Sequence, residues 1–245
     1  MESDGTLKVI KNESIGRLNF DPGYSTSITG VTDVSSTSGT RYSSISTDYC
    51  YQNSGIASNY HGCKIWGSNA TMLDSSGNHI TKMPREISDT EYDLPSSEAY
   101  INTYLNNTWY NGLNSDVKNL IVSHMFNVGL VKYNETSLAN TLTEESYYKW
   151  NGKVGLMNVS DYVKASTNSA CISVYAYAKA SACYNDSSTH NWIYSLANSY
   201  TWFISPQANL GSFNVTIIHL SGYLTGYSAY DGYYTLPVST YHQTS

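Results

Sequence analysis

Hydrophobic and polar residues alternate over residues 6–11, and a period of two predicts a β-strand. The alternation then weakens, and we assign residues 21–92 to one long excursion rich in Ser and Thr, whose least periodic part is 21–62. A loop of that length is uncommon unless it is functional or carries small structure of its own. Residues 64–73 within it predict a strand or hairpin, and Gly77 followed by Asn78 predicts a turn.

Apolar residues at helical spacing follow in the middle of the chain, and residues suited to N-caps precede each run. Three helices are therefore predicted: from Ser96 or Ser97 to about Leu105, from Asn114 or Ser115 to residues 127–129, and from Thr136 or Ser137 to about Tyr148. The apolar face of the second helix would consist of Val117, Leu120, Ile121 and His124 or Met125.

The C-terminal third returns to short strand patterns separated by glycines. Strands are predicted over residues 153–157, 192–194, 200–205, 213–219, 221–224 and 233–238, with Pro206 as a stop and Gly222, Gly226 and Gly232 in turns. Residues 160–181 predict a compact, partly helical segment. This order of elements predicts an α+β fold with helices in the first half, antiparallel strands in the C-terminal third, and pairing of the first and last strands.

Composition narrows the classes of function. The chain has 245 residues, a net charge of -6 and only 13% charged residues, where about 25% is usual. An acidic chain argues against binding nucleic acid or an anionic membrane surface, because both need clustered Lys and Arg. No run of about 20 apolar residues occurs, so no membrane span is predicted. The first residues lack a signal-peptide pattern, and a leader or anchor is expected outside this chain.

Charge is also distributed unevenly. The last basic residue is Lys179, and beyond it only Asp186 and Asp231 are ionised, while Tyr, Ser, Asn, Gly and Thr are abundant. This composition is typical of antibody binding loops, where Tyr supplies rigid amphipathic contact area and small polar residues supply adaptable hydrogen bonds. The alternative is a Tyr-rich sheet core with ordinary loops.

The four cysteines form two local pairs, Cys50 with Cys63 and Cys171 with Cys183. Neither pair has CxxC spacing and no histidine cluster accompanies them, so a zinc site is not predicted. Two disulfides would suit an exported protein. Four reduced, buried thiols are the alternative.

No hydrolase, metalloprotease, phosphate-loop or dinucleotide motif is present, so we predict no catalytic residue, metal or cofactor, and no enzyme activity. His124 is expected to be a packed or boundary residue of the second helix. The tryptophans at 150, 192 and 202 are expected in the core, since the burial of Trp dominates core energetics.

Two acidic clusters have a competing interpretation. Asp89, Glu91 and Asp93 could supply oxygen ligands to calcium, but they lack the glycine turn and terminal glutamate of an EF-hand loop, and a solvated loop is favoured. Glu144 and Glu145 are placed on an exposed helix face, also solvated.

A set of short motifs resembles a family of bacterial surface proteins, common in gut Firmicutes, that have a C-type-lectin-like domain. The motifs are residues 150–157 (WNGKVGLM), 160–162 (SDY), 191–194 (NWIY), 200–206 (YTWFISP) and 221–224 (SGYL), in an order and spacing that match over residues 150–238. Residues 6–16 and 96–129 resemble the first half of the same family. The resemblance implies a single C-type-lectin-like domain over residues 1–245.

Members of this family often have a pilin-like N-terminus, and some are diversified by retroelements that randomise adenine-containing codons. Asn codons then become Tyr, Ser, Thr, Asp, His, Ile, Phe or Leu. Residues 209–236 resemble such a variable region, and its constant frame would be Ser221, Gly222 and Tyr223 together with Pro237 and Val238. The resemblance implies ligand contact by Phe213, Thr216, Ile217, Ile218, His219, Leu220, Thr225, Tyr227, Ser228, Tyr230, Asp231, Tyr233 and Tyr234. Related sulfatase-modifying enzymes need a reactive cysteine pair, which is not placed that way here, so their activity is not carried over.

The predicted function is that of an extracellular adhesion or ligand-binding protein on the cell surface. Its partner would be a protein or glycan on another cell, a phage or a host surface, bound by the Tyr-rich face of residues 209–236. The alternative is a structural pilin-like or surface-layer subunit without a dedicated ligand.

Overall fold

The computed structural model describes residues 6–21, 50–52, 61–84, 90–185, 190–197, 199–208 and 214–242. The strands are β1 (Thr6–Ile10), β2 (Arg17–Asn19), β3 (Cys50–Gln52), β4 (His61–Cys63), β5 (Met72–Asp74), β6 (Lys82–Pro84), β7 (Glu91–Asp93), β8 (Ile121–Val122), β9 (His124–Asn127), β10 (Val131–Lys132), β11 (Tyr148–Gly152), β12 (Val154–Gly155), β13 (Thr201–Ala208), β14 (Asn214–Ile218), β15 (Leu224–Ser228), β16 (Gly232–Tyr234) and β17 (Val238–His242). The helices are α1 (Tyr100–Thr103), a π-helical stretch (Tyr104–Trp109), α2 (Tyr110–Gly112), α3 (Ser115–Leu120), α4 (Leu138–Ser146), α5 (Val159–Lys164), α6 (Val174–Lys179), α7 (Ser181–Tyr184) and α8 (Trp192–Ala197).

Strands dominate over short helices, and the α+β class predicted from the sequence is confirmed. The predicted pairing of the terminal strands is also confirmed: β1 and β17 are antiparallel, with Thr6 opposite His242 and Ile10 opposite Val238. On its other edge β17 pairs with β12 and β8. The helices are not confined to the first half of the chain, because α5 to α8 lie between residues 159 and 197.

The largest sheet carries the C-terminal third, in the order β15-β14-β13-β16-β2, with β10 also paired to β13. It is not purely antiparallel as predicted, because β10 and β16 both run parallel to β13. Parallel pairing needs a long crossover connection. The chain supplies one between β10 and β13, where it passes through α4 to α8.

The core lies against β13, in which every residue is buried. Phe20 sits edge-on to Trp66 and to Trp202, with ring centroids 5.9 and 5.7 Å apart, and Trp66 meets Trp150 at 5.8 Å. Such T-shaped aromatic pairs add about 0.5–1.5 kcal/mol beyond the area they bury. The predicted core positions of Trp150 and Trp202 are confirmed. Part of the predicted surface excursion is core as well, since Lys64 to Ser68 are buried.

The first helix starts at Tyr100, later than predicted, and its N-cap residue Ala99 has no side-chain acceptor. Asp21 replaces the local cap: its Oδ1 accepts a hydrogen bond from the Tyr100 N–H at 3.4 Å. The helix also runs further than predicted, through the π-helical stretch to Gly112. A capping carboxylate that comes from so far along the chain leaves no signal in the local sequence.

The second helix begins as predicted, because Asn114 Oδ1 accepts from the Asp116 N–H at 2.8 Å. It ends at Leu120, however, and the following residues form β8 and β9. The predicted apolar face is wrong, since Val117 and Leu120 are exposed. Pairing of β8 with β17 and of β9 with β11 outweighs the helical spacing. The third helix, α4, is capped by Ser137 as predicted.

The strand predicted at residues 192–194 is wrong, because this segment is helix α8. Asn191 caps it: its Oδ1 accepts from the N–H groups of Ile193 and Tyr194 at 3.1 and 3.2 Å. The predicted core position of Trp192 is also wrong, since 57% of this residue is exposed.

Pro206 does not end its strand, and β13 continues to Ala208. The pairing with β14 shifts register between Trp202 and Pro206, and such an irregularity is where a strand tolerates the missing N–H of proline.

Residues 221–223 form a turn with Gly222 at φ +86°, but Gly226 lies inside β15. A Cβ at Gly226 would lie 1.9 Å from Gln207 Oε1, so the glycine makes room for that side chain.

The predicted disulfide between Cys171 and Cys183 is confirmed and closes the segment that contains α6. Cys63 is disulfide-bonded as well, and Cys50 lies opposite it in the pairing of β3 with β4. Asp89, the candidate calcium ligand for which a solvated loop is favoured, lies outside the described residues. Phe213, a predicted ligand contact, also lies outside them.

Candidate functional site

An aromatic cluster forms where the ends of β13, β14, β15 and β16 meet. Thr201 pairs with Ile218 on one side and with Tyr234 on the other, and Ile217 pairs with Thr225. This register brings together side chains from β13, β15 and β16, from the residue before β13, and from the turn between β14 and β15. We define the aromatic cluster as Tyr200, Trp202, His219, Tyr223, Tyr227 and Tyr233.

The rings of the cluster contact one another directly. Tyr200 stacks on Tyr233 with centroids 5.4 Å apart and meets His219 edge-on at 4.6 Å. Tyr233 also meets Tyr227 at 5.3 Å and Trp202 at 4.9 Å. Because Trp202 is fully buried, it anchors the cluster to the core. Offset and edge-to-face contacts of this kind hold each ring in a defined orientation.

The turn between β14 and β15 fixes the remaining members. Gly222 adopts a positive φ, and its N–H donates to the His219 carbonyl at 2.7 Å. The Tyr162 hydroxyl donates to the Gly222 carbonyl at 2.7 Å, and the Tyr194 hydroxyl donates to the Leu220 carbonyl at 2.6 Å. Hydrogen bonds from α5 and α8 therefore fix the turn in place.

His219 and Tyr223 close the turn side of the cluster. Their rings stack with centroids 4.0 Å apart, and His219 Nε2 lies 3.0 Å from the Tyr200 hydroxyl. Tyr223 also meets Tyr184 of α7 at 5.2 Å. Helices α5, α7 and α8 therefore all support this part of the surface.

Several phenol groups of the cluster remain available to a ligand. Tyr223, Tyr227 and Tyr233 are half-buried, so one part of each ring is packed and the other is accessible. Within the described part of the chain, no group forms a hydrogen bond with their hydroxyls, whereas the Tyr200 hydroxyl is paired with His219. A fixed ring with an unused hydroxyl is suited to contacting a partner molecule.

Three titratable groups of the cluster, those of His219, Tyr223 and Tyr233, are uncharged around pH 7. Burial raises the pKa of Tyr233 far above its usual value, and the carboxyl of Asp231 nearby acts in the same direction. Burial also raises the pKa of Tyr223 and lowers that of His219. The phenols of Tyr223 and Tyr233 therefore stay protonated and the imidazole of His219 stays uncharged, so these three rings offer hydrogen bonds and apolar area.

The predicted contact residues divide into three groups. Thr216, Ile217 and Ile218 are buried, and the prediction that they face a ligand is wrong. Their strand β14 lies between β13 and β15, and its successive buried residues show that both of its faces are covered. Leu220 and Tyr234 are exposed. Those that are half-buried are His219, Thr225, Tyr227, Ser228, Tyr230, Asp231 and Tyr233.

Sequence reasoning missed three members of the cluster. Tyr200 and Trp202 were assigned to a core strand and Tyr223 to a constant frame. Tyr200 and Trp202 are two residues apart, and that spacing places both on one side of a strand. The strand predicted over residues 200–205 already includes both, so their shared side was the available signal.

The predicted solvated positions of Glu144 and Glu145 are wrong, since both are buried. Glu145 Oε1 accepts from the Ser160 N–H and from the Ser205 hydroxyl, each at 3.1 Å. Burial raises the pKa of Glu145 to about 7. Ser160 and Ser205 are themselves buried, so this network is enclosed and offers no surface to a substrate.

The other titratable candidates are dispersed. Glu91 and Asp93 are exposed on β7, and Asp93 lies 3.4 Å from the ammonium of Lys82. His124 lies on strand β9 rather than on a helix, and packs edge-on against Phe126 at 5.1 Å, as a packing role predicts. Among the described residues, His, Cys, Asp and Glu side chains form no group of three or more suited to holding a metal.

None of the described helices combines the length and the apolar character needed to cross a bilayer. Comparison of the chain with protein-family models, with curated proteins and with solved structures gives no match.

Proposed function

We propose that this chain is a surface-displayed ligand-binding protein whose contact surface is the aromatic cluster and the exposed residues beside it. The observation that carries the proposal is the combination of ring-to-ring packing with unused hydroxyls on Tyr223, Tyr227 and Tyr233. Rings held in place lose little entropy on binding, and their hydroxyls can donate to a partner. A few such aromatics usually supply most of the affinity of an interface.

The chemistry of the surface favours an uncharged partner. Tyr223 and Tyr233 are uncharged near pH 7, and their phenols offer both apolar faces and hydrogen-bond donors. Protein surfaces and glycans both present such groups, and we propose one of them on another cell, a phage or a host surface as the ligand. The Cys171–Cys183 disulfide supports an extracellular location, because disulfides persist in oxidising compartments.

We further propose a C-type-lectin-like fold and retroelement diversification of the contact surface. Paired terminal strands and the α+β element order support the fold. The burial pattern narrows the diversified set to the half-buried and exposed residues, because changing Ile217 or Ile218 would disturb the core. A template repeat in the source genome that differs only at adenines would support diversification, whereas differences elsewhere would exclude it without affecting the binding proposal.

The binding test compares the wild type with a variant in which Tyr223, Tyr227 and Tyr233 are all replaced by Phe. This change removes the unused hydroxyls but keeps the rings. Labelled protein is titrated onto intact bacterial cells, phage particles and a glycan array. We expect at least about tenfold weaker binding, since each lost hydrogen bond costs roughly 0.5–1.5 kcal/mol.

The matched control replaces Tyr147 and Tyr175 by Phe. Both tyrosines are 46% exposed and lie outside the cluster. The control should bind as the wild type does. Equal binding by all the proteins, or equal losses in both variants, would reject the aromatic cluster as the contact surface.

A structural subunit is the second candidate, and one observation favours it. Leu7 and Val9 are 49% and 38% exposed on β1, the edge strand of its sheet among the described residues, and an edge strand can pair with a second copy. Sedimentation of the chain over a range of concentrations separates the two candidates. A subunit of a filament or layer would associate through this strand, whereas a binding protein with a free ligand surface need not.

A further inference from the structure

Strand β1 forms the edge of its sheet. It pairs with β17 on one side, and no other described strand pairs with it. The Lys11 N–H donates to the Pro237 carbonyl at 2.9 Å, so Lys11 and Pro237 are a hydrogen-bonded pair. This pair shows which residues of β1 bond to β17. In an antiparallel pair, alternate residues direct their N–H and C=O groups to the partner. Leu7 and Val9 therefore bond to β17, while the backbone groups of Lys8 and Ile10 point away from it.

A groove runs along this edge. A cavity of about 530 Å³ is bounded by the whole of Leu7 to Ile10 on one side and by the end of α5 and the start of α8 on the other. Leu7, Val9 and Trp192 contribute accessible apolar surface to it. Large accessible apolar groups beside unpaired backbone groups are the features that let an added strand dock.

Charge in the groove is unbalanced. The Lys8 ammonium lies 2.6 Å from Asp161 Oδ2 and also donates to Asn158 Oδ1 at 3.2 Å, so Lys8 and Asp161 neutralise each other. Lys164 is exposed, lines the same groove, and has no ionic partner among the described residues. The groove therefore carries one uncompensated positive charge, which complements a carboxylate.

The wall that carries these charges is well fixed. Asp161 Oδ2 also accepts from the Asn158 N–H at 2.8 Å, completing a capping box at the start of α5. The same carboxylate thus holds both the helix and Lys8 of the edge strand. A preformed wall lowers the ordering cost that a bound segment must offset.

We infer that the free edge of β1 is a docking site for an extended peptide segment of a partner protein, one that carries a carboxylate. The peptide adds as a strand against Lys8 and Ile10, places apolar side chains on Leu7, Val9 and Trp192, and directs its carboxylate to Lys164. A segment of about five residues matches the length of β1. This site shares no residue with the aromatic cluster, and it does not depend on the function proposed for that cluster.

Amide hydrogen exchange of the full chain tests the backbone part directly. The probe is a synthetic peptide of alternating valine and threonine with a C-terminal aspartate. In the free protein we expect the amides of Leu7 and Val9 to be protected and those of Lys8 and Ile10 to exchange fast. Peptide should slow exchange at Lys8 and Ile10 at least about tenfold, with Leu7 and Val9 unchanged.

The following results of the hydrogen-exchange measurement would each overturn the proposal. Protection of Lys8 and Ile10 in the free protein at all concentrations would mean that the chain covers its own edge. Protection that grows with protein concentration would mean that a second copy does so. No protection with peptide up to about 1 mM, or equal protection by a peptide whose alternate amides are N-methylated, would exclude strand addition.

Variants test the side-chain part. Lys164→Glu and Trp192→Ala should each weaken peptide binding at least about tenfold, measured by fluorescence anisotropy. Lys82→Glu and Leu120→Ala are the matched controls, because both residues are exposed and lie outside the groove. Binding unaffected by either groove variant, or weakened equally by the controls, would contradict the assignment.

Discussion

The hydroxyl of Tyr162 donates a 2.7 Å hydrogen bond to the carbonyl of Gly222, joining helix α5 to the turn that carries the aromatic cluster. Both residues are buried, so water does not replace this bond when it is lost. Asn191 extends the network, since its side-chain amide donates to the Tyr162 carbonyl and to the Tyr177 hydroxyl at 2.7 and 2.8 Å. The turn therefore depends on residues far from it in the sequence.

Replacing Tyr162 by Phe tests that dependence. The substitution keeps the ring but leaves the buried Gly222 carbonyl without its donor, and such a loss costs about 1–3 kcal/mol. We expect the free energy of unfolding, measured with urea, to fall by that amount. Tyr223→Phe is the control, because its hydroxyl has no protein partner among the described residues. A control that loses as much as Tyr162→Phe would contradict the assigned role.

Gly129 should tolerate no side chain. A Cβ there would lie 2.1 Å from the carbonyl oxygen of Glu144 and 2.8 Å from that of Glu145, and both atoms are backbone. Gly129→Ala must displace the end of α4, at a cost of at least about 2 kcal/mol in unfolding free energy. Gly112→Ala, where nothing lies within 4 Å, should change the stability little. Similar values for the two variants would show that α4 moves freely.

Local capping signals were readable from the sequence, whereas long-range contacts were not. Asn114 and Ser137 cap the helices that directly follow them, and both helix starts were predicted. Asp21 caps a helix 79 residues away, and no local pattern reveals that. Strand β13 also continues through Pro206, because its pairing with β14 shifts register between Trp202 and Pro206. The sequence around Pro206 does not show this shift.

The candidate site could also be predicted only in part, because its location follows from local composition but its outward face depends on long-range strand pairing. Tyr-rich composition pointed to the correct region, and Tyr227 and Tyr233 do belong to the cluster. Which neighbours face outward depends on the position of each strand in the sheet, and the central place of β14 buries Thr216 to Ile218. A single sequence shows which residues of a strand share a face. It does not show whether that strand is central or at the edge of its sheet.

Glu145 should make stability depend on pH. Its pKa in the folded protein is raised to about 7 from an ordinary 4.5, because burial disfavours the charged form. A folded state with the higher pKa binds the proton more tightly, so the stability that this carboxyl contributes is fully present below about pH 4.5 and is lost as pH rises through 7. Glu145→Gln removes this pH-dependent loss, so its stability relative to the wild type should be higher at pH 8 than at pH 5 by about 2 kcal/mol.

Urea unfolding at the two pH values provides the measurement for Glu145. Glu91→Gln, at an exposed carboxylate of β7, is the control and should behave as the wild type does at both pH values. A relative stability of Glu145→Gln that is the same at pH 5 and pH 8 would show that the buried carboxyl does not titrate between them.

The disulfide of Cys171 and Cys183 should support the cluster indirectly. It anchors α7, whose Tyr184 packs on Tyr223 at 5.2 Å. Replacing both cysteines by Ala frees a loop of 12 residues and should lower the unfolding free energy by about 3 kcal/mol. The same variant should show changed NMR shifts for Tyr223, while Tyr147 stays unchanged. A variant that loses stability with no change at Tyr223 would separate the disulfide from the site.

Tyr233 allows packing to be separated from ligand contact within one side chain. Its ring touches Tyr200, Trp202 and Tyr227, so Tyr233→Ala should lower the unfolding free energy by about 3 kcal/mol or more. Tyr233→Phe keeps every ring contact and removes only a hydroxyl that has no partner among the described residues, so its stability should match the wild type within about 0.5 kcal/mol. Binding lost in the Ala variant alone would reflect collapse of the cluster. Binding lost in the Phe variant at unchanged stability would instead require that the hydroxyl contacts the ligand. If Tyr233→Phe were strongly destabilising, this phenol would have an internal structural role, and the surface proposed here would lose one of its contact groups.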